Sequence, residues 1–201
     1  MAFFLYGASG HAKVIIDILE RSGNKIIGLF DDNENINDLL GYKCFIFSEE
    51  LLLNNKLIIS IGDNNTRKNI IEKIGKIKYG KAIDPSALIS KRSKIGEGSV
   101  VMQGTIIQSN TKIGRHVIIN TGATVDHDCK IYDFVHISPN ATVCGNVEIG
   151  EGAHFGAGAV VIPGLKIGKW SVIGAGAVVI KDVPDNAVVV GNPARIIKYN
   201  S

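Results

Sequence analysis

Cysteine is scarce: Cys44, Cys129 and Cys144 are the whole set, an odd number with no CxxC spacing. That excludes a disulfide framework and a cysteine-built zinc site, and it fits a reduced, cytosolic protein. Excess charge of one sign is also small, with a formal net charge of +3. The lysines and arginines are scattered rather than gathered in a stripe, so nucleic acid is not an expected partner. No run reaches the roughly 18–20 apolar residues of a membrane span. The opening MAFFLYGASGHAK has no basic start, no long apolar stretch and no cleavage site, so no secretory leader and no membrane partner are expected.

What the chain does have is glycine, 23 residues in 201, and a repeat that accounts for many of them. Cut into sixes from Ile83, residues 83–184 give seventeen hexads without insertion or deletion, from IDPSAL through VDHDCK and VCGNVE to VIKDVP. Position one is Ile or Val in all but one hexad, where it is Phe155. Position five is mostly small, and glycine gathers at positions two and four. One inward aliphatic residue per short strand, with a freely bending backbone at each corner, describes a coil that turns every six residues. Three sixes close one triangular turn, so the hexads make between five and six turns of a parallel β-helix.

The chain before the hexads, 1–80, follows another pattern. FFLYGA reads as a strand, SGH as a glycine loop, and AKVIIDILERSG as an amphipathic helix ending at Gly23. KIIGLFDD and LIISIGD read as further strands, and NNTRKNIIEKIG has helical spacing. Strand, glycine loop, helix, strand is the βαβ order of a small Rossmann-like parallel sheet. GASGHA is not GxGxxG, so a dinucleotide is not expected. The loop is either a plain tight turn or a ligand cradle. Asp31 and Asp32, about 20 residues on, stand where such folds place an acidic residue on a nucleotide. The expected organisation is an α/β domain over 1–80, the β-helix over 81–184, and a tail over 185–201 that caps the open end of the coil after Pro184.

GASGHAK, the pair Asp31–Asp32, IGDNNTRK, HDC…FVHIS and VPDNAVVVGNPARII together resemble the sialic acid O-acetyltransferase and UDP-4-amino-sugar N-acetyltransferase family of hexapeptide-repeat acyltransferases. The resemblance covers nearly the whole chain. It implies a left-handed β-helix and transfer of acetyl from acetyl-CoA to an amino group on a nucleotide-linked 4-amino-4,6-dideoxy sugar. UDP is the leading nucleotide, with dTDP and GDP as candidates; the pathway would make a surface glycan or glycoprotein. The alternative within the family is O-acetylation of sialic acid. By the same resemblance Ser9, Gly10 and His11 cradle the sugar nucleotide, Asp31 and Asp32 meet its base with Gly62 nearby, and Asn120 joins the substrate set. His127 is the general base and Asp128 its partner, where members of the bacillosamine pathway carry glutamate. His136, Gly145, Ala157 and Ala175 line the acetyl-CoA site.

Read from the period alone, His127 is either a solvated corner residue or a base. It sits at position three, with Ser109 one turn below and Gly145 one turn above. Asn110, Asp128 and Asn146 form the next column, on a rung spacing of roughly 4.8 Å. His136 and His154 are one full turn apart and stack in one column; His136 is taken as a wall of the site, and His154 is either a wall or a surface residue. His116 is expected at the surface. Lys181 and Arg195 are either solvated charges or partners of CoA phosphates. Cys129 and Cys144 read as inert packing residues, and Ser9 has no base in sequence reach.

Two readings of a different class remain. A carbonic-anhydrase-like prism needs three protein ligands on zinc; the histidine spacings of 11, 9 and 18 lack that family's pair five apart, so no metal is expected. A purely structural prism would show uniform threonine ladders, unlike the irregular HDC…FVH patch. The expected mechanism is direct transfer without a covalent intermediate. His127 takes the amine proton, Asp128 holds its tautomer, and the Gly145 N–H receives the oxyanion. A homotrimer with sites between subunits is expected, because a flat face of β-ladder makes a good interface.

Overall fold

The computed structural model describes residues 2–200. The α/β part contains β1 (Ala2–Tyr6), α1 (Gly10–Arg21), β2 (Lys25–Phe30), β3 (Asp38–Leu39), β4 (Tyr42–Phe45), α2 (Glu49–Leu52), β5 (Lys56–Ile59) and α3 (Asn64–Ile74). Its sheet runs β3-β4-β2-β1-β5. β1 pairs in parallel with β2 and β5, β2 in parallel with β4, and only β3–β4 is antiparallel. α1 forms because Ala12, Ile15, Ile16, Ile18 and Leu19 fall on one face, all buried, at the spacing of an amphipathic helix. α3 starts where the Asp63 carboxylate accepts the Thr66 N–H at 2.8 Å, an N-cap. The β3–β4 hairpin and α2 were not expected from the sequence. They are short, half-exposed pieces with no clear hydrophobic period.

The second part is the coil. Seventeen two-residue strands, β6 (Ala82–Ile83) to β22 (Val178–Val179), recur every six residues. Every neighbour in a ladder is three hexads away, as in Ile106↔Thr124 and His136↔His154. Three flat faces result. Face 1 carries β6, β9, β12, β15, β18 and β21; face 2 carries β7, β10, β13, β16, β19 and β22; face 3 carries β8, β11, β14, β17 and β20. The position-one residues fill the prism from Val101 to Val179. Position four adopts φ between 54° and 80° at every corner from Gly98 to Gly176, the left-handed region glycine and asparagine enter most cheaply. The tail adds β23 (Ala187–Val190) in parallel to β21, and β24 (Arg195–Tyr199) folds back antiparallel on β23, so it extends face 1.

The faces have three different fates. Face 1 lies under the α/β domain: Ala12, Ile15, Ile16 and Leu19 share one buried cluster with Ala82, Val100, Met102 and Ile118. The outward residues of face 3 are mostly charged, with Lys94, Lys112, Lys130, Glu148 and Lys166 in register. Those of face 2 are Leu88, Ile106, Thr124, Thr142, Val160 and Val178, a stripe with no charge. Leu88 is 66% exposed.

Candidate active site

His127 and Asp128 occupy positions three and four of the corner between faces 2 and 3. The His127 Nδ1–H donates to Asp128 Oδ2 at 2.8 Å, and Asn110 Nδ2 donates to Asp128 Oδ1 at 2.6 Å. The His127 backbone N–H donates to Asp126 Oδ1 at 2.8 Å. Nε2 is left open, with Asp126 Oδ2 4.0 Å away, and the side chain is 58% exposed. Asp128 has φ 60°, a conformation a short Asp or Asn tolerates better than most residues. The hydrogen bond to Asp128, then the charge of Asp126, raise the His127 pKa above its ordinary value. The hydrogen bonds from Asn110 and His127 lower that of Asp128. The pair therefore sits as carboxylate and Nδ1–H imidazole, with a basic Nε2 at the surface.

Gly145 lies directly above this ring. A Cβ there would stand 2.7 Å from His127 Cε1, so any side chain at this position would crowd the imidazole out of its place. Ala157 and Ala175 also hold position three, exposed, in the corner between faces 1 and 2. The backbone N–H groups of Gly145, Ala157 and Ala175 find no acceptor within the described chain. Lys181 and Arg195 line a 330 Å³ cavity at the end of the prism with Ile180, Ala194 and Ile196.

A second cluster forms where the α/β domain meets face 1. His136 Nδ1–H donates to the Gly62 carbonyl at 3.1 Å, and Asn120 Nδ2 donates to His136 Nε2 at 3.1 Å. The His11 ring is 6.4 Å from that of His136, and His11 Nε2 is buried without a partner. The His154 ring lies 4.8 Å from that of His136, tilted by 39°, and meets Ser138 Oγ at 3.2 Å. The resemblance groups His136 with Gly145; within one chain it stands instead with His11, Gly62 and Asn120. Burial, then His154 and Arg67, push the His136 pKa down to about 3. Burial and Arg67 push His11 to about 4 and lower His154.

His116 corrects an expectation. It is buried, not at the surface, stacked 5.6 Å from Phe134 and edge-on to Tyr79 at 4.5 Å. The period alone hid this, because position four faces solvent unless another domain covers the corner. Burial and Arg67 push its pKa to about 4. Acid is therefore expected to weaken the junction. The unfolded chain takes protons on these four imidazoles near pH 6.5, while the folded junction refuses them until well below. The unfolded state thus binds more protons between about pH 6 and 4, and stability falls as pH drops through that window. Melting temperatures at pH 7 and pH 5 check this; an unchanged value contradicts it.

At the glycine loop, Ser9 stands at the N-cap of α1 without a side-chain cap bond, and Ser9 and Gly10 are exposed. The helix N-terminus is thus open, a setting suited to an anion. Asp31 braces this loop: Oδ2 accepts the Ala8 N–H at 2.7 Å and Oδ1 the Asn33 N–H at 2.9 Å. Asp32 is the freer carboxylate, taking the Tyr6 O–H at 2.6 Å with Lys73 at 3.9 Å. Sequence reasoning did not single out Tyr6, Ser60 or Arg67. Ser60 Oγ lies 2.8 and 2.6 Å from the Tyr6 and Gly7 carbonyls. Arg67 lies inside IGDNNTRK, and that motif was its only signal.

Comparison with known proteins decides the family. The PglD N-terminal domain family matches residues 2–74. The bacterial transferase hexapeptide family matches 92–127 and 128–163. A mutant GDP-perosamine N-acetyltransferase from Caulobacter crescentus, solved with CoA and GDP-perosamine, is 35% identical over 98% of this chain and 97% of that one, with a TM-score of 0.91. The chain belongs to the PglD-like family of hexapeptide-repeat acyltransferases. The acetyltransferase domain of PglB from Neisseria gonorrhoeae with acetyl coenzyme A is 35% identical over 98% of both chains, at a TM-score of 0.89. WeeI from Acinetobacter baumannii is 31% identical over 98% of this chain and all of that one, at 0.88. Uncharacterized protein L142 of Acanthamoeba polyphaga mimivirus is 34% identical over 99 residues, and the chain spans only 18% of its length. The PglD-like fold is the small α/β domain followed by a left-handed parallel β-helix, and the protein is an enzyme, an acyltransferase. No helix among the described residues is long and apolar enough to cross a membrane.

Proposed function

We propose that this PglD-like enzyme transfers the acetyl group of acetyl-CoA to the amine of a nucleotide-linked 4-amino-4,6-dideoxy sugar. The observation that carries the reading is the His127–Asp128 pair, with Nδ1–H tied down at 2.8 Å and Nε2 free. Its relatives give the substrate class: the Caulobacter enzyme was solved with CoA and GDP-perosamine. His127 Nε2 takes one amine proton as the nitrogen attacks the thioester carbonyl. Asp128 keeps the tautomer and favours the imidazolium that forms. The unpartnered Gly145 N–H, one rung above the ring, is the donor for the developing oxyanion. No covalent enzyme intermediate is needed, since the acceptor is already a nucleophile. The open N-terminus of α1 receives the diphosphate through the Ser9–Gly10 amides with His11 beside it. Asp32 meets a ring N–H of the base, a donor that uracil, thymine and guanine share.

The prism geometry supports a composite site, shared between chains. His127 sits on the corner between faces 2 and 3, opposite face 1, which carries the α/β domain, Asn120 and His136. A sugar nucleotide held at the junction of one chain thus meets the His127 of another. The uncharged stripe on face 2 supplies the contact surface, and three prisms arranged about it close into a homotrimer. Release of CoA thiol across UDP-, dTDP- and GDP-linked 4-amino sugars and free sialic acid tests the reading. Turnover with an amino-sugar nucleotide supports it and names the base. Turnover with sialic acid alone replaces it by O-acetylation.

A further inference from the structure

Among the described residues, Arg67 is the one large buried charge with no part in the chemistry above. It is 1% exposed, and no carboxylate lies within ion-pair distance of it among the described residues. A guanidinium taken out of water without an acid is tolerated only if its donors are satisfied. Here its nitrogens make five bonds. Nε donates to the His116 carbonyl at 2.9 Å, and Nη1 to those of Ile61 and Gly62 at 3.0 and 3.1 Å. Nη2 donates to Asn64 Oδ1 and the Phe134 carbonyl, both at 2.8 Å. One planar fork therefore ties the β5–α3 loop, α3 itself and two successive prism corners. A lysine, with three donors on a point charge, cannot reproduce that pattern.

The corner it grips is the strained one. His116, Phe134 and Trp170 hold φ of 54°, 62° and 55°, which bulky side chains rarely adopt. α3 covers all three: Lys68 lies over the Phe134 and Trp170 rings, and Asn64 Nδ2 donates to the Gly152 carbonyl between them at 3.0 Å. The Gly62 carbonyl matters most. Its two lone pairs take Arg67 Nη1 and His136 Nδ1–H, both at 3.1 Å. That leaves His136 Nε2 as the acceptor of Asn120 Nδ2, while Asn120 Oδ1 accepts the Thr121 N–H at 2.8 Å. The opposite tautomer would set donor against donor at Asn120 and lone pair against lone pair at Gly62.

We propose that Arg67 is a positioning residue: it fixes the glycine-loop domain over face 1 and, through the shared Gly62 carbonyl, locks His136 as the Nδ1–H tautomer facing Asn120. The kinetic consequence rests on the acetyl-transfer reading; the tautomer does not. The test is Arg67→Lys in the full chain, read in two ways. Ring ¹⁵N shifts should show His136 moving from one donor and one acceptor nitrogen toward an average of tautomers. The KM for the sugar nucleotide should rise about tenfold while that for acetyl-CoA stays within about twofold, the scale of losing hydrogen bonds to a charged group. A lower melting temperature with both readouts at wild-type values would mean a purely structural arginine and would overturn the proposal. If the wild type transfers no acetyl group to any amino-sugar nucleotide, the functional reading fails and the ¹⁵N signature still decides the role of Arg67. If Arg67→Lys does not fold, Asn64→Ala removes one of the five acceptors of Arg67, together with the Asn64 Nδ2 bond to the Gly152 carbonyl, and should give a smaller ¹⁵N shift in the same direction; an unchanged signature there is equally fatal.

Discussion

Replacing His127 with alanine is expected to lower kcat by about 10²–10⁴-fold, the usual span of a positioned general base, with CoA binding nearly unchanged. The expectation follows from what the ring touches. Nδ1 is committed to Asp128, so Nε2 is the only nitrogen free to accept a proton. The corner is otherwise built from backbone ladders that the substitution leaves alone. The pH profile gives the second check. Asp128 and Asp126 raise the His127 pKa, so the acid limb of kcat/KM should lie above the ordinary histidine value near 6.5. Asp128→Asn removes a charge that favours imidazolium, which shifts that limb to lower pH while the rate falls through loss of the tautomer. Near-normal turnover in His127→Ala would remove the base from the mechanism.

Two inactive chains are expected to make an active enzyme. His127→Ala spoils the base on one corner, and Asn120→Ala spoils the junction on the opposite face. Each variant alone should lose most activity. Co-expressed in equal amounts, random assembly places an intact His127 against an intact Asn120 in about a quarter of the interfaces. Activity should recover to about that fraction of wild type. A site contained in one chain would gain nothing from mixing, so failure to complement, in mixed oligomers shown to form, refutes the composite site. The same experiment separates the oligomer from the chemistry, because each variant leaves the uncharged stripe of face 2 untouched.

Acetyl transfer and the junction depend on different kinds of information. The hexad period carried the prism from the sequence because its physics is local. One aliphatic residue must point inward and one corner residue must bend left-handed, and both show as a repeat of six. The His127–Asp128 pair was legible for the same reason: both residues and their neighbours Asn110 and Gly145 lie on ladders that return every third hexad. The glycine loop and Asp31–Asp32 were legible as positions, but their division of labour was not. Only the folded loop shows Asp31 spending both oxygens on backbone N–H groups, which leaves Asp32 as the freer acid.

What the sequence by itself determined is therefore the coil, the α/β order before it and the polar corner at 127–128. Each is set by residues close in sequence or separated by a fixed repeat. The tertiary structure alone decided which face the α/β domain covers, and everything that follows from that. It buried His116, turned His136 and Asn120 toward Gly62 and His11, and enclosed the Arg67 guanidinium among carbonyls of the β5–α3 loop and two prism corners. Those contacts join residues as far apart as His11 and His136 across two units with unrelated periods, and no local pattern reports how two such units dock.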